Sequence, residues 1–286
     1  MSVNNAIEIR NLTKRFDDFI LDDISFDLPK GCILGLIGEN GAGKSTTIRL
    51  IMDAVRRDAG SVEVMGIDNR SPQFSALKED IGVVLDEANF PSVLNVKDVG
   101  RIMNNTYRSW NEQKFADYIR KFNLPEKKAF KDFSRGMKMK LSIATALSHD
   151  PKLLLLDEAT AGLDPVVRDE ILDIFYDFTR NSEHSILISS HIISDLEKLC
   201  DYIAFIHKGK LIFCREKDGL LEEYGILRCS WKQLDDVPKE AVLGKRSSKY
   251  GVECLVCREL LNDAFPVEKT SIEDIMLFMV KGEEHL

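Results

Sequence analysis

Four short runs along this chain are apolar without interruption: CILGLI at 32–37, IGVVL at 81–85, LLLL at 153–156 and ILI at 186–188. Runs of that length, lacking polar alternation, predict strands covered on both faces, as in a parallel sheet. Between them the period changes to that of helices. In NEQKFADYIRKFNLP, Phe115, Tyr118, Ile119 and Phe122 recur at helical spacing, with Asn111 placed to cap and Pro125 just beyond. Asp164 and Pro165 read as an N-cap followed by proline at the first helical position, opening a helix that carries Val167, Ile171, Ile174, Phe175 and Phe178. Strands alternating with helices predict an α/β fold.

Other segments keep a different rhythm. Ile24, Phe26 and Leu28 alternate with polar residues, as do Val62 and Val64, which predicts half-exposed antiparallel strands. The stretch 91–147 reads as wholly helical, inserted between two core strands. Beyond Gly225 the pattern weakens, and strand-like runs precede TSIEDIMLFM, where Thr270 and Glu273 form a candidate capping box and Ile272, Ile275, Met276 and Met279 a candidate apolar stripe. The expected division is a main domain over 1–224 and a small α+β subdomain over 225–286.

Composition narrows the function. A 286-residue chain with 44% hydrophobic and 30% charged residues suits one large domain with a small appendage. Its net charge of −8 argues against coating a nucleic-acid backbone, which needs clustered lysine and arginine. No apolar run approaches the roughly 20 residues that span a bilayer, and MSVNNAIEIR lacks a signal peptide's apolar core. The expected setting is the cytosol, unless a partner holds the chain elsewhere. Six cysteines are scattered, and Cys254 and Cys257 alone form C-x-x-C; in a strand their spacing aims the two thiols at opposite faces, a poor arrangement for zinc or redox chemistry.

Directly after the first buried run comes GENGAGKST, residues 38–46, which fits G-x-x-x-x-G-K-[ST]. Gly38, Gly41 and Gly43 let the backbone curl so that several N–H groups face one phosphate chain. The following helix adds its positive N-terminal end. Lys44 is placed to reach the β- and γ-phosphates and Ser45 to reach Mg²⁺. The LLLL run ends in Asp157 and Glu158: the first is placed to hold Mg²⁺, the second to orient and deprotonate a water. Acidic residues at a strand end are also often plain solvated edges, and a lone histidine such as His191, in the SSH after the ILI run, is usually structural. Here these residues form a set, joined by the turn AGLDP.

In this combination the chain resembles the ATP-binding cassette (ABC) ATPases over roughly residues 5–220, through several motifs in order. The resemblance implies a P-loop NTPase (RecA-like) core with an antiparallel β subdomain and an inserted α-helical subdomain. It makes GENGAGKST the Walker A loop, so that Asn40, Ala42 and Thr46 join the glycines, Lys44 and Ser45 around ATP. LLLLDE becomes the Walker B strand with Glu158 as catalytic base, Ala161–Asp164 the D-loop, and His191 the switch histidine. Phe16, in LTKRF, stands where the family keeps an aromatic that stacks on adenine.

DFSRGMKMKLS, residues 132–142, reads by composition as a basic helix face or as a phosphate-reading loop. The resemblance decides for the second, because the family places its L-S-G-G-Q signature here, where it faces ATP on a second copy in a head-to-tail dimer. Ser134 and Gly136 keep the hydroxyl and the unobstructed N–H, and the lysines become a solvated helix side. Two positions depart from the family pattern. Arg135 replaces a glycine and either reaches a γ-phosphate across the dimer or points into solvent or an ion pair. Asp86, followed by Glu87, stands where the family usually has glutamine and is a candidate Mg²⁺ ligand. Both departures resemble bacterial exporter ATPases that pair with separately encoded polytopic membrane subunits, some handling peptides, antibiotics or toxins. The resemblance thus implies an ATP hydrolase with ATP and Mg²⁺, a homodimer or heterodimer of ATPase subunits, and a peripheral place on the cytoplasmic face of the membrane. The competing expectation is a soluble ABC ATPase, such as an iron–sulfur assembly scaffold.

Overall fold

The computed structural model describes residues 5–86, 90–248, 251–262 and 265–281, so Glu87 lies outside the described residues. The chain divides into two compact units between residues 213 and 214, earlier than the 224/225 boundary expected from sequence. The helix Lys217–Glu223 packs on the strand Tyr224–Cys229 that follows it, which ties it to the second unit.

In the first unit the apolar runs form Ile33–Ile37, Ile81–Val84, Leu153–Asp157 and Ser185–Ser189. They lie in one six-stranded sheet, in the order Lys210–Glu216, Tyr202–His207, Ile33–Ile37, Ser185–Ser189, Leu153–Asp157, Ile81–Val84. From Tyr202–His207 to Ile81–Val84 every pairing is parallel, and Leu153, Leu154, Leu155 and Leu156 are fully buried. The alternating segments form the second sheet: Ile20–Pro29, Asn5–Arg15 and Ala59–Val64 pair antiparallel and turn Ile24, Phe26, Leu28, Val62 and Val64 inward.

Between the strands Ile81–Val84 and Leu153–Asp157 lie the helices Val96–Thr106, Glu112–Lys121 and Arg135–Leu147. Each starts on a side-chain cap that satisfies an orphan N–H: Asn95 with Asp98 as a capping box, Asn111 to the Lys114 N–H, and Ser134 to the Met137 N–H. Asp164 caps Pro165–Phe178 in the same way through the Val167 N–H.

The second unit is a four-stranded sheet, Val242–Ser248, Gly251–Cys257, Tyr224–Cys229, Val267–Glu268, covered on one face by the helix Ile272–Lys281. Its cap lies one residue later than expected: the Ser271 hydroxyl accepts from the Asp274 N–H at 3.0 Å and donates to the Asp274 carboxylate at 2.8 Å. Phe278 joins Ile272 and Ile275 in the buried stripe, while Met276 and Met279 are half-buried. Cys254 is buried and its thiol is pushed up to about 11 by burial, whereas Cys257 is half-buried on the strand's other face.

A row of alternating charges crosses this sheet. Glu253 accepts from Arg228 Nε at 2.8 Å and from Arg246 Nε at 2.6 Å, and Arg228 also pairs with Glu268. The two guanidinium groups hold the Glu253 carboxyl below the usual carboxylate range. The stabilisation is therefore complete above the ordinary carboxylate pKa and is lost as pH falls through the lowered one. Glu253→Gln is expected to lower the midpoint of thermal unfolding, followed at Trp231, by about 3–6 °C at neutral pH, on the order of 1 kcal/mol. The gap between variant and wild type should close in acid; a gap that persists below the carboxylate range would show that packing, and not charge, carries the effect.

Candidate functional site

Because the core strands run parallel, their carboxyl ends share one edge, where α/β sheets present their crevices. Four of these ends carry the residues singled out in the sequence. The loop 38–43 follows Ile33–Ile37, His191 lies just past Ser185–Ser189, Asp157 and Glu158 end the next strand, and Asp86 lies just past Ile81–Val84.

The loop 38–43 is built where side chains do not fit. At Gly43 φ is +115°, and an added Cβ would lie 2.7 Å from Leu21 Cδ1; at Gly38 it would lie 2.2 Å from the Ile206 carbonyl oxygen. Helix Lys44–Ile51 starts immediately afterwards. Lys44, only 6% exposed, donates from Nζ to the carbonyls of Gly38 at 2.8 Å and Glu39 at 3.2 Å, and lies 3.7 Å from Glu158 Oε1. One side chain thus gathers the loop and the acidic strand end around a buried cation. Ser45 Oγ donates to Asp157 Oδ1 at 3.0 Å, and Ser189 Oγ donates to the same oxygen at 2.6 Å. Asp157 itself is 2% exposed.

Glu158 sits in left-handed backbone with φ of +53°, unusual for a residue with a side chain. Its N–H is fixed by the Ser189 carbonyl at 3.1 Å and the Ser189 hydroxyl at 3.2 Å. The turned backbone carries the carboxylate to His191, whose Nδ1 lies 2.6 Å from Oε2 and whose N–H donates to the same oxygen at 3.3 Å. The pair is oriented from both sides, and the second ring nitrogen, Nε2, is left for another partner.

Lys44, Ser45, Glu158 and His191 line a cleft of about 530 Å³, together with Asn40, Gly41, Gly43, Thr46, Ala161 and Phe19, and Asp157 lies buried behind Ser45. Gly38 and Ala42 shape the loop from behind, and Ala42 is buried. Phe16 is exposed beside the cleft, its ring centroid 6.3 Å from that of Phe19. Phe19 is the lining residue that sequence reasoning passed over; the doubled aromatic in KRFDDF was its only signal.

Ser134 and Gly136 do not line this cleft; Ser134 is exposed at the start of helix Arg135–Leu147. Arg135 does line it, and its Nη2 donates to Asp86 Oδ1 at 2.5 Å. The two departures from the family pattern are therefore partners within one chain, the ion-pair reading of Arg135. The neighbouring lysines are less solvated than expected: Lys138 lies over the Phe130 ring at 5.1 Å and Lys140 over Phe122 at 5.9 Å, while Met139 between them is buried.

The donor set suits a hard divalent cation: a hydroxyl and a carboxylate, Ser45 and Asp157, already share a hydrogen bond at the cleft floor. Asp86, the third expected ligand, has its carboxylate engaged by Arg135. Among the described residues no cluster of three or more histidine, cysteine or acidic side chains is placed to hold a metal on its own, so Mg²⁺ would depend on phosphate oxygens and water for its remaining ligands.

Residues 21–161 match the family described as ABC transporter. The lantibiotic transport ATP-binding protein SrtF of Streptococcus pyogenes is 37% identical over 216 residues, covering 74% of this chain and 92% of its own. The bacitracin transport ATP-binding protein BcrA of Enterococcus faecalis is 32% identical over 217 residues, covering 74% and 70%. A solved structure described as the ATP binding subunit of an ABC transporter has a TM-score of 0.67 and 25% identity, covering 75% of this chain and 91% of that one.

Proposed function

The chain belongs to the ABC transporter family, and on that premise we propose how its cleft hydrolyses ATP and what the hydrolysis drives. It is the ATP-binding, ATP-hydrolysing subunit of a transporter. The observation that carries the mechanism is the Lys44–Glu158–His191 constellation at the phosphate loop.

In this mechanism the N–H groups of the loop 38–43 and Nζ of Lys44 hold the β- and γ-phosphates of ATP, with Asn40, Gly41 and Thr46 around them. Ser45 and Asp157 hold Mg²⁺, which offsets phosphate charge when bound. Glu158 takes a proton from a water in line with the γ-phosphorus; the new P–O bond forms as the bond to the β,γ-bridging oxygen breaks, and ADP leaves. His191 orients Glu158 through Nδ1, and Nε2 donates to a γ-phosphate oxygen when the ring is doubly protonated. Phe16, with Phe19 beside it, offers the face for adenine. Ser134 and Gly136 act on the nucleotide of a second ATPase subunit, identical or related, in a head-to-tail dimer.

Among the described residues no helix is long and apolar enough to cross a membrane. The reading is that a separately encoded polytopic subunit supplies the path, receives the segment 91–147 and the surface beside Asp86, and holds this chain on the cytoplasmic face. The SrtF and BcrA relatives are named for lantibiotic and bacitracin transport, which favours transport over an iron–sulfur assembly scaffold and supports the reading of an exporter for peptides or antimicrobials. The test is affinity capture of tagged Glu158→Gln chain with ATP from detergent-solubilised membranes. A stoichiometric polytopic protein is the expected result; a soluble partner alone would overturn the transport reading.

A further inference from the structure

Among the described residues, the charged side chains lining the cleft are two cations, Lys44 and Arg135, and two carboxylates, Asp86 and Glu158, with His191 beside them. Lys44 lies near Glu158 and Arg135 is bound to Asp86, so each acid has its own base. Arg135 starts the helix Arg135–Leu147, far from Asp86 in sequence, yet its side chain is guided to it. A Cβ on Gly162 would lie 3.2 Å from Arg135 Cδ and 3.3 Å from Nε, so the arm rests on bare backbone between the helix start and the acid. Both partners are substantially exposed, 59% for Arg135 and 44% for Asp86, so the pair adds little to folding stability. What it does change is the field that an incoming triphosphate meets.

We propose that Arg135 serves the phosphate cleft of its own chain as a charge compensator for Asp86, keeping a carboxylate at the cleft wall from repelling the triphosphate. This rests on the reading that the cleft takes the phosphates of ATP. Arg135 is a positioning and neutralising residue in this role: its partner is Asp86, and the phosphates gain because the acid's charge is already offset. The two residues act as a unit, and removing the arginine alone leaves an unpaired negative charge facing several others of the same sign.

The experiment is a double-mutant cycle on nucleotide affinity in the full chain, using a non-hydrolysable ATP analogue with magnesium and, separately, with EDTA. Arg135→Ala is expected to weaken binding about fivefold or more, and Arg135→Lys to retain most of the affinity. In the Asp86→Asn background the same Arg135→Ala change is expected to cost less than about twofold, and its penalty beside Asp86 should shrink as salt rises. Unchanged affinity in Arg135→Ala would overturn the proposal. A loss that Asp86→Asn does not relieve would overturn it too, since the guanidinium would then act on phosphate directly, in this cleft or that of a second copy. Lys44→Ala is measured alongside: if it binds as wild type does, the phosphate reading of the cleft fails, and this inference fails with it.

Discussion

Glu158→Gln is expected to lower steady-state ATP turnover by about 10²–10⁴-fold, the usual worth of a positioned general base, while ATP affinity stays within about twofold of wild type. Glutamine is nearly isosteric with glutamate and tolerates the left-handed backbone at φ +53° no worse. Its amide still reaches His191, so the change removes the proton acceptor and little else. The measurement is phosphate release at saturating ATP, paired with equilibrium nucleotide binding. Turnover at the wild-type rate would mean that the base lies elsewhere; loss of binding together with turnover would mean that Glu158 shapes the cleft and has no special part in the chemistry.

Lys44→Ala should act on the other quantity. Nζ is poised among the Gly38 and Glu39 carbonyls and Glu158, where a phosphate oxygen competes well for the same donors. Charge-assisted hydrogen bonds contribute about 1.5–3 kcal/mol, so ATP affinity is expected to fall roughly 10- to 100-fold. Because Lys44 is buried, its loss also leaves two carbonyls without donors, and thermal unfolding must be followed in the same samples. Weakened binding with the melting midpoint kept within a few degrees assigns the lysine to phosphate. Unchanged affinity would remove the loop from the mechanism.

Much of this site was legible in the sequence because its makers are local. A glycine-rich loop between a buried run and a helix specifies its own shape, and Asn111, Ser134 and Asp164 cap helices that start at the next residue. The apolar runs were equally plain, since a strand buried on both faces is nearly continuous in apolar residues along its middle. What stayed hidden depended on partners distant in the chain. The family resemblance left Lys138 and Lys140 to a solvated helix side, whereas the fold sets them over Phe130 and Phe122. Arg135 and Asp86 each looked like an isolated departure until the fold joined them. At the C-terminal helix the competition was local but close: Thr270 and Ser271 are both good caps, and it is the Ser271 hydroxyl that takes the Asp274 N–H.

The strand order of the main sheet has a consequence for how such a protein changes over time. Along the chain the working residues run 38–46, 86, 157–158, 191, but across the sheet edge they run 38–46, 191, 157–158, 86. Neighbouring strands lie about 4.8 Å apart, so three steps make a ruler of about 14 Å from the phosphate loop to Asp86. Its graduations are set by backbone pairing and owe nothing to the length of the connections. The helical segment inserted after Ile81–Val84 hangs from two adjacent marks. Its length can change without moving either mark, so the segment is free to diversify away from Ser134, Arg135 and Gly136 while the strand ends keep their spacing.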